Sequence, residues 1–417
     1  MRSTILVGVL LSSLAAVSGA ADKPLLITAN TIYTAPDAAP LKNGAVLVRD
    51  GRIVSVGDEH ARVAVPKGTR TSECRGVVVA GFQNSHVHFT EPVWNDAAHA
   101  PADGLSRGLE SMLTKYGYTT VFDTGSDQAN TIALRERIGK REVRGPRILT
   151  VGLPLYPVDG IPVYIKDLPA DVLARMHQPK TADEARADVR GNLANGADGT
   201  KLFLHTSPDG KSPRFMTMDV IRAAVEETHA KGKLVLAHPT SLEAVRSAIA
   251  GGVDILVHTT LGEKDPWDAA LIEQLKQHQM SVIPTFKLWV YELRKQDVPA
   301  PVIDQLVGAT LEELRAFHTA GGQVLFGTDV GYMHDYDPTD EYVFMQKAGM
   351  TPAQILASLT TAPAARWKES DRRGRLVPGA DADIVVLGED PAADVKNFAN
   401  VRCVFRGGEL IYSTVAK

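Results

Sequence analysis

The pattern of apolar and polar positions divides this chain into two similar ends and a different middle. Residues 24–80 contain short apolar runs of β type, and the Asp50-Gly51 pair between two of them is a strong hairpin signal. Residues 374–417 have the same pattern, with the run Ile384-Val385-Val386-Leu387 and further short runs after it. We therefore predict one small β-sandwich domain that is built from residues 24–80 and 374–417 together.

The middle, residues 81–373, alternates apolar runs of strand length with amphipathic stretches of helical length. This alternation predicts an α/β fold in which a (β/α)8 TIM barrel forms the catalytic domain. The predicted strands are 76–82, 119–122, 147–151, 200–204, 234–237, 254–257, 281–286 and 323–327. The clearest predicted helices are 102–116, 219–231, 242–250, 266–278 and 301–320.

Residues 152–180 are rich in proline and connect a predicted strand to a predicted helix. A connection of this length is unusual in a compact domain unless it has a function. We consider a lid over the mouth of the barrel and a rigid surface excursion, and the sequence leaves both open.

Residues 1–20 differ from the rest of the chain. Arg2 precedes an apolar run over 5–17, and small residues follow it, which is the pattern of a secretory signal peptide. The run is too short to span a bilayer comfortably. We therefore predict an exported protein, periplasmic or secreted, without a membrane span after signal removal. The alternative is an N-terminal helix of a cytoplasmic protein.

Composition narrows the choice of partners. The 417 residues are 44% hydrophobic and 23% charged, as in ordinary globular proteins, and the formal net charge is -4. This balance does not favour nucleic acid as a partner, so we expect a small-molecule substrate. The sequence leaves a homo-oligomer open. It also leaves open whether Cys74 and Cys403 pair as a disulfide, as an oxidising compartment would allow, or remain free thiols.

The segment His86-Val87-His88 follows a long apolar run. On a strand, residues i and i+2 point to the same side, so both imidazoles can face one ion while Val87 turns away. Further residues suited to metal binding each follow an apolar run of their own. They are Lys201, His238, His258 and Asp329. Since parallel barrels build their active sites at the carboxyl ends of their strands, we predict one metal centre at that face.

Two of these residues suggest specific chemistry. Burial of Lys201 would favour its neutral amine, which can react with carbon dioxide to give a carbamate that bridges two cations. The alternative is a lysine paired with an acid. Asp329 can ligate a metal and also carry a proton from water to a leaving group. The alternative is an aspartate that caps a turn or a helix.

Three segments carry a family resemblance that spans nearly the whole mature chain. Residues 81–88 (GFQNSHVH), 359–365 (LTTAPAA) and 374–386 (GRLVPGADADIVV) resemble motifs of the amidohydrolase superfamily, and the chain is most similar to its imidazolonepropionase-like and prolidase-like branch. The family more often has Asp at the position of Asn84. We expect this departure to tune the surroundings of the ligands rather than to remove one.

The resemblance implies a binuclear centre with two divalent metal ions, of which Zn²⁺ is the expected species. His86 and His88 would bind the more buried ion and His238 and His258 the more exposed one. Lys201 would bridge the two ions as N6-carboxylysine, and Asp329 would complete the first site.

These assignments predict a metal-dependent hydrolase in which a hydroxide shared by the two metals attacks the carbonyl carbon of an amide or peptide C–N bond. Asp329 would act as base and then as acid. A dipeptide or an N-acyl amino acid is the favoured substrate, and a cyclic amide, lactone or carbamate is the alternative. A deaminase is disfavoured because Ser241 occupies the position of the usual acidic proton shuttle. A non-catalytic metal-binding protein is the remaining reading.

Several residues near predicted strand ends are candidate contacts for the substrate. Lys287 is suited to a substrate carboxylate, and Trp94 to an apolar group. The proline-rich loop and the fourth strand add hydrogen-bonding candidates, which are Tyr156, Tyr164 and His205.

Overall fold

The structure is a computed structural model that describes residues 23–58, 63–166, 170–262 and 267–415. The predicted signal peptide over 1–20 therefore lies outside the described residues. Within the part of the chain that is described, no helix has both the length and the apolar character needed to cross a bilayer.

The described strands fall into a group that joins the two chain ends and a group of parallel strands in the middle. In chain order they are β1 (Leu25–Ile32), β2 (Leu41–Arg49), β3 (Arg52–Gly57), β4 (Arg70–Thr71), β5 (Val77–Ala80), β6 (Phe82–Val87), β7 (Tyr118–Asp123), β8 (Arg147–Thr150), β9 (Gly199–Phe203), β10 (His205–Thr206), β11 (Arg214–Phe215), β12 (Leu234–His238), β13 (Ile255–Val257), β14 (Ser281–Ile283), β15 (Gln323–Val324), β16 (Ile384–Leu387), β17 (Val401–Arg406) and β18 (Glu409–Ser413).

The described α-helices lie between β6 and β16. They are α1 (Ala102–Met112), α2 (Gln128–Gly139), α3 (Ala170–Leu173), α4 (Ala182–Ala194), α5 (Met218–His229), α6 (Leu242–Gly251), α7 (Ala269–Gln277), α8 (Phe286–Lys295), α9 (Ala300–Thr319), α10 (Thr339–Lys347), α11 (Pro352–Leu359) and α12 (Thr361–Arg366). Short 3-10 turns cover Pro92–Trp94, Thr114–Tyr116, Val163–Ile165 and Val395–Ala399.

Strands from the two chain ends form one hydrogen-bonded sheet, which we call the terminal sheet. Its order is β18-β17-β16-β5-β1-β2-β3, and β4 pairs with β1 at the side of this path. The two ends meet where β5 pairs antiparallel with β16, with Ala80 opposite Ile384. The division into domains at 24–80 plus 374–417 and 81–373 stays a prediction.

The apolar residues of β5 explain why the terminal sheet packs on the rest of the protein. Val78 and Ala80 belong to the core of the terminal sheet itself. Val77 and Val79 point to the opposite side and belong to the large core of the α/β part. Because successive strand side chains alternate between faces, a continuous apolar run predicts a strand that is buried on both sides.

The two cysteines are joined. Cys74 and Cys403 form a disulfide with a Cα–Cα distance of 6.2 Å. Both residues belong to the core of the terminal sheet. The structure thus decides the alternative that the sequence left open, in favour of the bridge and against two free thiols.

The middle of the chain is a mixed α/β arrangement with parallel strands. One sheet has the order β6-β7-β8 and the other β9-β12-β13-β14-β15. Backbone hydrogen bonds connect the two sheets at both edges, from Ser85 to Phe326 (2.8 Å) and through Leu155, which bonds to Lys201 and Phe203 (both 2.9 Å). One apolar cluster takes residues from strands of both sheets. Its members are Phe122, Leu149, Val151, Leu236, Ile255, Val257, Ile283 and Leu325.

Four predicted elements differ from the structure. The predicted strand 76–82 is divided at Gly81 into β5 and β6, which belong to different sheets. A side chain at Gly81 would lie 2.2 Å from the Thr119 hydroxyl, so glycine permits the close approach at this crossing. The predicted strand 281–286 ends at Ile283, and the predicted helix 102–116 ends at Met112. The predicted strand 323–327 ends at Val324. The other predicted strands and helices agree with the structure to within a few residues at each end.

Candidate metal centre

Strand β6 and the segment after β15 bring three ligand atoms together. The Nε2 atoms of His86 and His88 are 3.1 Å apart. Asp329 Oδ1 lies 3.4 Å from the first and 3.0 Å from the second. His86 and Asp329 are almost fully buried. His88 directly follows β6, and the i, i+2 spacing at this strand end has the predicted effect, because both imidazoles point to the same side.

The partners of these atoms suit a cation. Nδ1 of His88 lies 2.7 Å from the carbonyl oxygen of Gly125, which can only accept, so Nδ1 carries the proton and Nε2 is left with a lone pair. Asp329 Oδ1 is buried and has no hydrogen-bond partner among the described residues. Electron pairs of His88 and Asp329 thus converge on one point, which is unfavourable unless a proton or a cation lies there.

The separations of these atoms also match those within a coordination shell. Ligand atoms that are about 2.0–2.2 Å from a tetrahedral Zn²⁺ lie roughly 3.3–3.6 Å from one another. The three observed distances, 3.0 to 3.4 Å, are close to that range. The residues present therefore fit a divalent metal ion at this point.

His238 and His258 extend the cluster on the other side. His238 is the last residue of β12 and His258 directly follows β13. Their ring centroids are 4.7 Å apart, and the ring of His258 is 4.9 Å from that of His86. Nε2 of His258 lies 3.9 Å from Asp329 Oδ2. The four imidazoles therefore form one continuous group.

Burial sets the protonation states of these imidazoles. It lowers the pKa of His86, His238 and His258 well below the ordinary value, and the charge of Lys201 adds to the effect. The three rings are therefore neutral at physiological pH and can offer lone pairs. Burial also lowers the pKa of His88, but its contact with Asp329 outweighs this and the net shift is upward. A bound cation would take the place of that added proton.

Lys201 lies in the middle of β9, in register with Leu236 of β12, rather than at a strand end as predicted. Its side chain is 1% exposed, and its ammonium has no acidic group within ion-pair distance among the described residues. Burial lowers its pKa to about 8, although the charges of Asp329 and Asp123 oppose the shift. The amine is therefore neutral in part near neutral pH, which is the state that the carbamate prediction requires.

These side chains form the floor of a cavity of about 280 Å³. Its walls are mainly apolar and aromatic, and they come from α8, from the end of β9 and from the loops after β6, β7, β8, β12, β13 and β15. The wall residues are Thr90, Gly125, Pro154, Tyr156, Tyr164, Ile165, Phe203, Thr240, Leu261, Leu288, Trp289, Glu292, Gln296 and Tyr332.

The structure brings two of the predicted substrate contacts to this cavity. Tyr156 is buried and its ring stacks on Phe203 with a centroid distance of 4.6 Å. Tyr164 is 44% exposed and meets the ring of Tyr332 edge to face at 5.3 Å. Both come from the proline-rich segment. The segment therefore contributes a wall of the cavity, in line with the covering role that we considered for it.

Three other candidates do not line the cavity. The ammonium of Lys287 donates to the carbonyls of Asp335 (3.1 Å) and Asp337 (2.5 Å), so it holds a loop and does not face the metal residues. Trp94 is buried against Phe89.

The third candidate, His205, does not line the cavity but contacts a residue that does. Its Nδ1 is 3.0 Å from the hydroxyl of Thr240, which does line the cavity. The geometry gives no support to direct substrate contacts by Lys287, Trp94 or His205.

Sequence reasoning missed several residues of the site. Thr285 lies beside His258, and Phe203, Trp289 and Glu292 line the wall. Residues 289, 292 and 296 are spaced so that they lie on one face of a helix. This spacing identifies a shared wall only if α8 is known to start at Phe286. The prediction of a strand up to residue 286 concealed it.

Comparison with known proteins agrees with this geometry. Residues 77–411 match the amidohydrolase family. The chain belongs to this family. It is 26% identical to the ochratoxinase of Aspergillus niger over 416 residues, covering 90% of this chain and 84% of the relative.

Solved structures of other proteins show the same fold. A Xaa-Pro dipeptidase with bound methionine matches with a TM-score of 0.77 at 21% identity, covering 94% of this chain and 100% of the other. The A. niger ochratoxinase matches with a TM-score of 0.77 at 22% identity, covering 94% and 96%. Molinate hydrolase matches with a TM-score of 0.75 at 22% identity, covering 93% and 94%.

This amidohydrolase uses Asn84 to hold the centre together. The Asn84 amide donates to the Thr328 hydroxyl at 2.7 Å, and its carbonyl accepts from the backbone N–H of His86 at 3.1 Å. One side chain thus links β6 to the segment that presents Asp329. The expectation that Asn84 acts around the ligands, and not as one of them, agrees with these contacts.

Proposed function

We propose that this amidohydrolase is a metal-dependent hydrolase that cleaves an amide or peptide C–N bond, as in a dipeptide or an N-acyl amino acid. One observation carries the proposal. Five ligand-type side chains and a buried lysine of lowered pKa converge on the floor of a mainly apolar cavity. Such a combination is typical of a catalytic site rather than of a structural metal site, because a substrate can enter beside the ligands.

We infer that the eight parallel strands β6, β7, β8, β9, β12, β13, β14 and β15 close into a (β/α)8 barrel. The backbone hydrogen bonds at both edges of the two sheets support closure. The apolar cluster that joins strands of both sheets supports it as well, because the interior of such a barrel is filled by layers of side chains.

We assign the candidate ligand residues to two metal ions. His86, His88 and Asp329 would hold one ion, His238 and His258 the other, and Lys201 would bridge them as N6-carboxylysine. Zn²⁺ suits this set of imidazole and carboxylate ligands. When bound, the ions lower the pKa of water and polarise the scissile carbonyl.

The side chains of the protein supply positioning and proton transfer. Asp329 takes the proton of the attacking water and then delivers it to the leaving nitrogen. Gly125 holds His88 and Thr285 holds His258, so the reacting groups need little reorganisation. Burial raises the pKa of Tyr156, which therefore remains a neutral hydrogen-bond donor beside the floor.

Two alternative activities are supported to different degrees by the site. A cyclic amide, lactone or carbamate is the second candidate, because the mainly uncharged wall suits such neutral molecules. A deaminase is less well supported. Ser241 caps α6 by accepting from the N–H of Ala244 at 3.2 Å, so no acid stands at the shuttle position.

The test is turnover of a substrate panel by zinc-loaded protein before and after chelation. The panel contains dipeptides, N-acyl amino acids, carbamates and lactones. We expect amide hydrolysis that is lost with the metal and restored by Zn²⁺, and that falls by at least about 10³-fold in Asp329→Asn. Asp304→Asn, on the exposed side of α9, is the matched control. Fewer than one ion per chain in active protein, or full activity in Asp329→Asn, would contradict the proposal.

We also propose that the protein is exported. The pattern of residues 1–20 suggests it, and the Cys74–Cys403 bridge supports it because disulfides persist in oxidising compartments. Fractionation of cells that express the full chain, with mass spectrometry of the mature N-terminus, tests this. Protein in the cytosol with its first twenty residues intact would contradict it.

A further inference from the structure

One acidic side chain of the cavity wall lies outside the metal centre. Glu292 lies on α8, on the helix face that also presents Trp289 and Gln296 to the cavity. Its side chain is about one quarter exposed, at 23%, so it lies towards the mouth and not on the floor. The Tyr332 hydroxyl donates to Glu292 Oε1 at 2.8 Å and fixes the position of the carboxylate.

The surrounding wall does little to neutralise this charge. Leu261, Leu288 and Trp289 are apolar neighbours in the wall. The ammonium of Lys295 is 3.7 Å from Glu292 Oε1, but its side chain is 54% exposed and therefore well solvated. Among the described wall residues outside the metal centre, no cation faces the cavity. Lys287, on the same helix, is directed to Asp335 and Asp337 instead.

This arrangement acts on the charge of a substrate. A carboxylate in the outer part of the cavity would lose water and would also lie near the fixed negative charge of Glu292. The loss of hydration is unfavourable because burial penalises an ion that has no partner. The repulsion by Glu292 is unfavourable as well, because like charges repel more strongly where the dielectric constant is low. A neutral amide or an aromatic group meets neither penalty and gains contact with Trp289 and Tyr332.

We propose that Glu292 selects against negative charge in the substrate. The inference rests on the proposed function and narrows it: the preferred substrates are neutral amides of aromatic or other apolar character. Of the amides proposed above, a dipeptide or an N-acyl amino acid with a free carboxylate is therefore hydrolysed more slowly than the same molecule with a carboxamide in place of the carboxylate.

A matched substrate pair tests this. N-benzoyl-phenylalanine and N-benzoyl-phenylalaninamide share the benzoyl amide and differ in one charge, and release of benzoate measures cleavage of that shared bond in both. We expect kcat/KM to be about tenfold or more higher for the carboxamide. Glu292→Gln retains an acceptor for Tyr332 and removes the charge, so the ratio should fall to about threefold or less. Glu312→Gln removes a charge from the exposed face of α9 and should leave the ratio unchanged.

A second measurement needs no variant. The preference of the natural protein for the carboxamide should decrease as salt is raised from about 0.02 to 0.5 M, because ions screen a charge near the mouth. A preference for the carboxylate, or a ratio that Glu292→Gln leaves unchanged while the protein remains folded and zinc-loaded, would overturn the inference. If neither molecule nor any other amide of the panel is hydrolysed, the proposed function itself fails.

Discussion

The hydroxyl of Thr285 lies 2.5 Å from Nδ1 of His258 and donates its own proton to the carbonyl of Pro284 at 2.8 Å. The hydroxyl must therefore accept from His258, so Nδ1 carries the proton and Nε2 is left for a metal. Thr285 has φ 51 and directly precedes α8. The residue at the start of α8 thus sets the tautomer of the candidate ligand His258. The helix that begins there supplies part of the cavity wall, including Trp289.

We expect Thr285→Val to weaken metal binding by about 10- to 100-fold, because it removes the acceptor that orients His258. Thr285→Ser retains the hydroxyl and should restore most of the affinity. Thr310→Val is the control, since it removes a buried hydroxyl of α9 that donates to the carbonyl of Val307. Competition for Zn²⁺ with a chelator measures the effect. Equal affinity in the Val and Ser variants would contradict this role.

Lys201→Ala should reduce the zinc content and lower kcat/KM by at least about 10³-fold, since the variant has no amine to carry the proposed bridging carboxylate. Short carboxylic acids such as propionate should recover part of the activity by filling the space. Protein prepared with ¹³C-bicarbonate should give a carbamate signal by NMR that is missing in the variant. Full activity and full zinc content in Lys201→Ala would remove the bridging role.

Lys287→Met should affect stability and leave substrate binding unchanged. The ammonium bonds to two backbone carbonyls and pairs with Asp335 at 2.9 Å, so we expect a loss of about 2 kcal/mol in the free energy of unfolding. KM for neutral and carboxylate-bearing substrates should change by the same small factor. A rise in KM for the carboxylate-bearing substrates alone would show that Lys287 does reach the substrate.

Glu341 makes stability depend on pH. Its carboxylate accepts from the backbone N–H groups of Phe286 and Lys287, and burial, which these bonds offset only in part, raises its pKa from 4.5 to about 7. Between these values the folded state binds more protons than the unfolded state, so stability falls as pH rises from about 4.5 through about 7.

Urea unfolding of metal-free natural protein and of Glu341→Gln tests this sign. Both side chains are neutral at the low end, and only the natural one acquires a buried charge at the high end. The free energy of unfolding of the natural protein, minus that of the variant, should therefore decrease with rising pH. The expected decrease is about 1.4 kcal/mol for each unit of the pKa shift. If this difference in free energy of unfolding changes by less than about 0.5 kcal/mol between pH 5 and pH 8, the prediction is wrong.

Replacement of both Cys74 and Cys403 by serine should lower the free energy of unfolding by about 2–4 kcal/mol, because the bridge restricts the unfolded chain. The zinc content should remain the same, since the bridge lies in the terminal sheet and not near the cavity. Thermal unfolding under oxidising and reducing conditions measures the change. If the natural protein and the double variant unfold at the same temperature in oxidising buffer, the bridge does not stabilise the fold.

The candidate ligand residues could be located from the sequence because each of them is marked locally. His86 and His88 have strand spacing after an apolar run, and His238 and His258 directly end or follow buried strands. Asp329 is less clearly marked, since β15 ends at Val324 and the chain continues irregularly to Asp329. The prediction for Asp329 therefore depends on the other candidate ligands.

The wall could not be predicted in the same way, because it depends on where α8 begins. Lys287 and Trp289 are two residues apart in sequence, but with 3.6 residues per turn their side chains point in very different directions. A strand continued to residue 286 would have directed Lys287 to the mouth of the cavity. The contacts of Thr285, Glu292 and Glu341 join segments that are distant in sequence, and no local pattern reveals them.

The absence of any linker between β5 and β6 beyond Gly81 has a practical consequence for protein engineering. The strand that contains His86 and ends just before His88 continues directly from the centre of the terminal sheet, and the N–H of Gly81 bonds to the carbonyl of Asp383 near the other chain end at 2.7 Å. A minimal enzyme cannot be excised by cutting at residue 81. Any transplant or circular permutant that is meant to retain the catalytic chemistry must keep β5 and β16 intact as one mechanical support.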